Sequence, residues 1–366
     1  MKNKFKGDDR TNRVLIHIDE THFYGMTVRK GINGSFTYDN SIIEEHSGIK
    51  DFEFIDEESW RATLDDIVKR VNLSNRGKDE LLYLSVPDCF CEIEVKEYGI
   101  EGESQVITEK TIEELVRLIE EDFSEEEIIE IKTVYYNLDG GNEIFDEIIG
   151  KRARRIGGLF SVMTAKKEFC KAIPIYTVKQ AGFSQVVLLN ATSAELKFIP
   201  KKTRDDGVSI ISSGFYSTTI SSCKCNGVSQ MDKLNFGVAH VIKDLVDNAN
   251  VNYDEAVALL HASVISVERS ITNNYVIGER NFSSAFINKI IKDNVTKIID
   301  DVSRLKLFPN IYITGGNLFD IYSVKNMLMN KLGNNNIKAL RDRLDGSGKY
   351  PDVAIKALLN NLTFGG

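Results

Sequence analysis

The feature that most constrains this chain is a pattern it uses twice. Val14-Leu15-Ile16-His17-Ile18, rich in β-branched residues, ends at Asp19. A small loop from Asp19 to Gly25 follows, Met26-Thr27-Val28 resumes as a hairpin partner, and Gly31 to Gly34 turns the chain. Much later Gly207-Val208-Ser209-Ile210-Ile211 runs into Ser212-Ser213-Gly214, Thr218 to Ser222 returns, and Gly227 turns it. Strand, small-residue loop, strand and glycine turn, repeated once, predict two halves of similar fold. Each half needs helices to cover its sheet, and the sequence supplies them.

In the first half Trp60, Leu64, Ile67, Val68 and Val71 fall on one helical face, and Leu81 to Val86 reads as a strand stopped by Pro87. Residues 88–165 have a different texture: a helix through Ile112, Leu115, Val116 and Ile119, an acidic run from Glu120 to Glu130, and a basic run from Lys151 to Arg155. The acidic run reads as a solvated face, and the basic run as a surface strand pairing with it. Ser184 to Leu189 is a strand, and Asn190 to Ala194 caps a helix. In the second half helices are expected at Val238 to Val246, Asp254 to Ser263 and Phe286 to Leu305. Asn310 to Asn317 is a strand entering a glycine loop. Tyr322 to Leu332 and Asp352 to Leu362 close the chain as helices.

Composition narrows the function. The 366 residues are 42% hydrophobic, enough for large cores, and carry Lys+Arg 46 against Asp+Glu 54. A net charge of −8 argues against non-specific nucleic-acid binding, which rests on phosphate neutralisation. No apolar run has the length of a transmembrane helix or a signal core, so a cytoplasmic protein is expected. Five cysteines give no disulfide framework, and Cys89/Cys91 and Cys223/Cys225 read as buried strand faces rather than zinc ligands. His17, His22, His46, His240 and His261 show no H-x₃-H spacing, and no P-loop or G-x-S-x-G elbow is present. What remains are loops after buried strands, which can present N–H groups to a phosphate. They are Asp19-Glu20-Thr21, Ser212 to Thr218 and, best placed, Thr314-Gly315-Gly316-Asn317 before a helix.

The two hairpin loops, the late strand–Thr-Gly-Gly–helix and the α/β insert in the first half resemble the actin/Hsp70-like ATPase superfamily. The nearest branch is FtsA, the actin-like protein of bacterial division. The resemblance runs from Val14 to about Leu362 and rests on short motifs in order: Ser47 to Asp51, Ile107-Thr108-Glu109, Gly150-Lys151-Arg152 with Phe160 to Ala165, Gly207 to Ile211, Phe236-Gly237 and Ile313 to Gly316. It implies an α/β fold of two lobes with mixed sheets flanked by helices. Residues 1–87 and 166–205 would form the first lobe, 88–165 the inserted subdomain, 206–344 the second lobe with a helical subdomain at about 235–305, and 345–366 a helix returning to the first lobe. It also implies a cofactor, ATP or ADP with Mg²⁺. Asp19, Thr21, Ser213, Gly214, Ser217, Thr314, Gly315, Gly316 and Asn317 would face it, with Asp19 toward the metal.

The departures are as informative. Where the family's first phosphate loop reads Asp-x-Gly-(Thr/Ser), this chain reads Asp19-Glu20-Thr21-His22 and loses the glycine. Where the second reads Asp-x-Gly-Gly-Gly-Thr-Thr-Asp, it reads Ser212 to Thr219, with both acids gone and Phe215 and Tyr216 in the loop. The helix that offers Glu and Lys to the nucleoside reads Glu255 to Leu260, apolar at those two positions. No catalytic residue is therefore assigned, and negligible hydrolysis is expected, because carboxylates that would organise Mg²⁺ are missing. The expected function is an FtsA-like scaffold that self-associates into oligomers or filaments and recruits division proteins such as FtsZ. It would touch the membrane only through a partner, since no amphipathic anchor follows Leu362. The alternatives are a working actin-like ATPase or kinase, and an adaptor of type IV pilus assembly like PilM.

Overall fold

The computed structural model describes residues 13–31, 35–72, 81–263, 274–316, 318–319, 321, 323–343 and 352–362. The chain forms two compact units: residues 1–206 with 223–231 and 355–366, and residues 207–222 with 232–354.

The first unit opens with β1 (Arg13–Ile18), β2 (His22–Lys30) and β3 (Phe36–Glu45), followed by the short β4 (Ile49–Lys50) and β5 (Glu53–Phe54), then α1 (Glu57–Asn72) and β6 (Leu81–Val86). The insert comprises β7 (Cys91–Val106), α2 (Glu109–Asp122), β8 (Glu127–Leu138), β9 (Ile144–Phe145) and β10 (Arg152–Ala165). Helices α3 (Lys167–Ala172) and α4 (Ile175–Gln180), β11 (Gln185–Asn190), and helices α5 (Ala191–Leu196) and α6 (Lys201–Asp205) complete this stretch. The main sheet has the order β11-β6-β1-β2-β3. β1 is antiparallel to β2 and parallel to β6, which is parallel to β11.

All six residues of β1 are buried, as a central strand covered on both faces requires. The hairpin is tighter than its sequence suggests. Rather than looping to Gly25, the chain turns within Asp19 to Thr21, and Ile18 already faces Phe23 across the ladder. Gly25 is a strand residue opposite Ile16. A Cβ there would come within 2.7 Å of Val71 and 2.9 Å of Ile67, so the glycine lets α1 lie directly on the sheet.

The insert is a sheet in the order β7-β10-β8-β9 with α2 on it; Leu115, Ile119, Phe160 and Val162 form its core. α2 starts at Thr108, whose N–H donates to Thr111 Oγ1 at 3.2 Å. The basic run does not pair with the acidic one. Arg152 and Arg155 sit opposite Val106 and Glu101 of β7, while Glu127 and Glu130 lie opposite Ala165 and Met163 at the other end of β10. Strand length separates the two runs, because β10 is 14 residues long, with the basic run at its start and the acidic residues of β8 opposite its end. The Cys-x-Cys pairs also depart from the strand reading. Pro87 starts a 3₁₀ turn containing Cys89 before Cys91 opens β7. Cys223 lies on a strand, but Cys225 sits in a turn with φ 55. No group of three or more metal-binding side chains occurs among the described residues.

The second unit is built on β12 (Val208–Ser213), β13 (Thr218–Lys224) and β14 (Gly227–Leu234), except that residues 223–231 at the β13–β14 turn belong to the first unit; α7 (Val238–Ala249) and α8 (Tyr253–Ala262) follow. The hairpin β15 (Tyr275–Ile277) and β16 (Arg280–Phe282) precedes the long α9 (Ser284–Ser303); β17 (Asn310–Gly315), α10 (Val324–Leu332) and β18 (Ile337–Ala339) follow. Its sheet order, β14-β13-β12-β17-β18, places the first strand between its hairpin and its parallel partner, as in the first unit. One core joins this sheet to the helices through Ile211, Ile220, Val241, Leu259, Ile291 and Val295. Finally α11 (Asp352–Leu359) brings Ala357, Leu358 and Leu359 into the core beside Leu15 and Tyr83 of the first unit. No helix among the described residues is long and apolar enough to cross a membrane.

Candidate functional site

Each half of the repeat places a tight turn at the end of its first strand, and each is described on its own unit. In the first, Asp19 is the organising residue. Its Oδ1 accepts from the N–H of Thr21 at 2.7 Å, the N–H of His22 at 2.7 Å and Thr21 Oγ1 at 3.1 Å. Its Oδ2 accepts from Tyr24 OH at 3.1 Å. The Asp19 N–H donates to His22 O at 3.0 Å. The side chain is 11% exposed. An aspartate closing a turn on the backbone two and three residues ahead mimics the main chain and competes with any outside anion for the same donors.

His46, from the end of β3, clamps this turn twice. Its N–H donates to Thr21 O at 2.6 Å and its Nε2–H to Asp19 O at 3.0 Å. Burial lowers its pKa to about 4, so it is neutral at pH 7. Beneath the turn His17 is also pushed down to about 4 by burial, against the raising fields of Asp19 and Asp88. Its Nδ1 is 2.9 Å from Ser85 Oγ, which accepts from the Ile18 N–H at 2.8 Å. A buried serine already engaged in this way is a fastening between β1 and β6 rather than a nucleophile. Nothing in the sequence flags His46, Tyr24 or Ser85, which reach the turn from separate strands and share no spacing with it. His22 meets Thr21 Oγ1 at 2.8 Å through Nδ1, an ordinary loop contact.

The second unit's turn is closed by main chain. The Gly214 N–H donates to Ser217 O at 2.8 Å, and the Gly316 N–H to Ser213 O at 2.6 Å. The first N–H groups of α7 turn inward too: Val238 donates to Gly214 O at 3.4 Å and Ala239 to Phe215 O at 2.8 Å. Gly237 and Gly315 allow this closeness. A Cβ on Gly237 would lie 2.5 Å from Phe215 O, and one on Gly315, at φ +86, would overlap the Ser213 carbonyl. Phe215 packs on the unit's core and meets Tyr216 edge-on at 4.8 Å. Thr218 Oγ1 donates to Phe236 O at 2.8 Å. Ser213 Oγ is buried without a partner among the described residues.

The sequence's candidates therefore divide between the units. Asp19 and Thr21 share the first turn, while Ser213, Gly214, Ser217, Gly315 and Gly316 gather at the second, with Thr314 on β17 opposite Ser212. Asn317 lies outside the described residues. Glu255, on the expected nucleoside helix, is instead bound to Arg280 at 2.6 Å and to the Asn252 N–H at 3.0 Å. Backbone capping by Asn252 and then Arg280 hold its pKa below the usual carboxylate range.

This is the fold of the actin-like ATPases. The PilM-PilN type IV pilus biogenesis complex matches with a TM-score of 0.61 at 14% identity, covering 96% of this chain and 98% of that one. MreB5 of Spiroplasma citri, solved with AMPPNP, matches with a TM-score of 0.52 at 12% identity, covering 95% of each chain. The same protein with ADP gives equal values. No protein-family model and no curated protein matches the sequence. The cofactor such a fold implies is a nucleotide, and the residues present fit it poorly. The N–H groups of Thr21, His22, Gly214 and Gly316 already donate within the chain. The Asp19 carboxylate accepts three bonds on one oxygen and one on the other.

Proposed function

We propose that this protein is a non-hydrolysing actin-fold scaffold, an adaptor that gathers partner proteins rather than turning over ATP. One observation carries the reading: the turn N–H groups that a phosphate would need are bonded inside the chain, by a carboxylate in one unit and by carbonyls in the other. Releasing them would cost about 1 kcal/mol for each neutral bond and more for those to Asp19. No acid stands at Ser212 or Thr219 to order a metal's waters.

The partner reading favoured is that of a type IV pilus assembly adaptor. Its support is the end-to-end match in fold to PilM from a PilM-PilN complex. An FtsA-like division scaffold that binds FtsZ and self-associates is the competing outcome. A binding titration separates them: peptides from the cytoplasmic tail of a pilus membrane protein against peptides from the FtsZ tail. Saturable binding of the pilus peptide alone supports the adaptor reading. Binding of the FtsZ tail alone replaces it with the division role. Steady ATP turnover abolished by Asp19→Ala would overturn both.

A further inference from the structure

Lys132, Lys197 and Arg204 belong to no motif of the sequence. Folding brings them together on the first unit. Lys132 lies on β8, Lys197 caps the C-terminal end of α5, and Arg204 lies on α6. The β13–β14 turn closes the group: the Cys225 N–H donates to Arg204 O at 2.9 Å, and Arg204 Nη1 donates to Asn226 Oδ1 at 2.7 Å. Next to it, a Cβ on Gly227 would lie 3.4 Å from that of Lys132, and Ser161 Oγ holds Val228 O at 2.5 Å.

Three features of this cluster ask for an anion. Arg204 Nε is buried and has no hydrogen-bond partner among the described residues, and an unmet donor on a guanidinium is costly. Lys197 has no hydrogen bond or ion pair from its ammonium among the described residues, although Lys201, Lys243, Lys297 and Lys331 all find carboxylates. The remaining charge is unbalanced. Glu130 is the carboxylate facing the group; it lies 3.4 Å from Lys132 and is fixed by Ser193 Oγ. Asp146, the next nearby acid, is bound to Lys201 at 2.7 Å, and Asp205 faces Lys201 and Cys225. Partial burial first, then the positive fields of Lys132 and Arg204, hold the Lys197 ammonium below its usual range against the pull of Glu130.

We propose that Lys132, Lys197 and Arg204 form a phosphate-binding site on the first unit, separate from the nucleotide turns. Three cations against one carboxylate match a phosphate, which carries close to two negative charges at neutral pH, better than a carboxylate ligand. The Arg204 guanidinium is held in place by Asn226 and presents a fixed positive charge, and Lys197 supplies a mobile point charge beside it. The phosphate comes either as the free anion or on a small phosphomonoester.

Calorimetric titration of the full chain in chloride buffer tests this, with inorganic phosphate and glycerol 3-phosphate as probes. Saturable millimolar or tighter binding of one probe is expected. Lys197→Gln and Arg204→Gln should each weaken it by about tenfold, the usual effect of losing one charge-assisted bond. Lys243→Gln, on an exposed face of α7, should leave it unchanged. Lys197 is exposed, so its variant keeps the test readable if Arg204→Gln fails to fold. Preference for glycerol 3-phosphate identifies the source as an ester, and preference for phosphate identifies the free anion; either supports the site. Absence of saturable heat with both probes, or equal affinity in all three variants, overturns it.

Discussion

The two turns occupy equivalent places in the repeat and are closed by different means. The first is held by one charged side chain, Asp19, with His46 and Tyr24 gathered around it. The second is held by main chain against main chain, made possible by Gly237 and Gly315. A carboxylate with four bonds is a stronger fastening than neutral carbonyls. Main-chain closure depends instead on the absence of side-chain atoms. Both end with the same consequence, donors that face inward. On the proposed reading, a loop loses its place for phosphate by gaining a side chain that imitates it, or by collapsing onto its neighbour.

If that contrast is right, the turns should fail in different ways. The largest effect is expected for Gly315→Ala, which must accommodate both φ +86 and overlap with Ser213. It should destabilise the second unit by about 4 kcal/mol. In urea unfolding followed by hydrogen exchange, the loss should be confined to residues of that unit; an equal loss in both units would break the comparison.

Next comes acid. His17 is neutral in the folded chain down to about pH 4, against 6.5 when unfolded. Between these values the unfolded chain binds the extra proton, so stability is full above 6.5 and falls toward 4. The loss is about 3 kcal/mol from this residue. His46 acts in the same window and direction. His17→Asn should flatten the slope of stability against pH between 4 and 6.5; an unchanged slope would mean that the histidine is not buried neutral.

Asp19→Ala should cost the first turn about 2 kcal/mol, and Asp19→Asn less, because an amide oxygen can still accept from Thr21 and His22. Exchange protection of those two amides reads the difference, and protection unaffected by Asp19→Ala would remove the carboxylate from its role. Smallest, Thr218→Val should cost about 1 kcal/mol by orphaning Phe236 O. A loss as large as that of Gly315→Ala would show that side chains hold the second turn after all.

Much of this was legible beforehand. The repeat showed in the apolar runs ending at Asp19 and Ser213, and the helices through Trp60 and Ile287 showed in their spacing, because burial imposes those periods. The loss of glycine beside Asp19 and the aromatic pair Phe215-Tyr216 were visible as departures from the loop pattern of the family the chain resembles. The direction of the hydrogen bonds was hidden. Whether Thr21 N–H faces outward or toward Asp19 depends on a turn that ends at Thr21 rather than at Gly25, and on His46 arriving from the end of β3. The cluster of Lys132, Lys197 and Arg204 was hidden for the same reason, since it exists only once three elements and the β13–β14 turn meet.

The account rests on inward-facing donors, and nucleotide binding tests it most directly. Calorimetry with ADP and Mg²⁺ should be run in the Lys197→Gln/Arg204→Gln background, so that a separate phosphate site contributes nothing. No saturable heat is expected, and no rise in melting temperature, since only a ligand that binds the folded state stabilises it. Tight, magnesium-dependent binding that is lost in Gly214→Val would show that the turns open to a nucleotide, and would contradict the account.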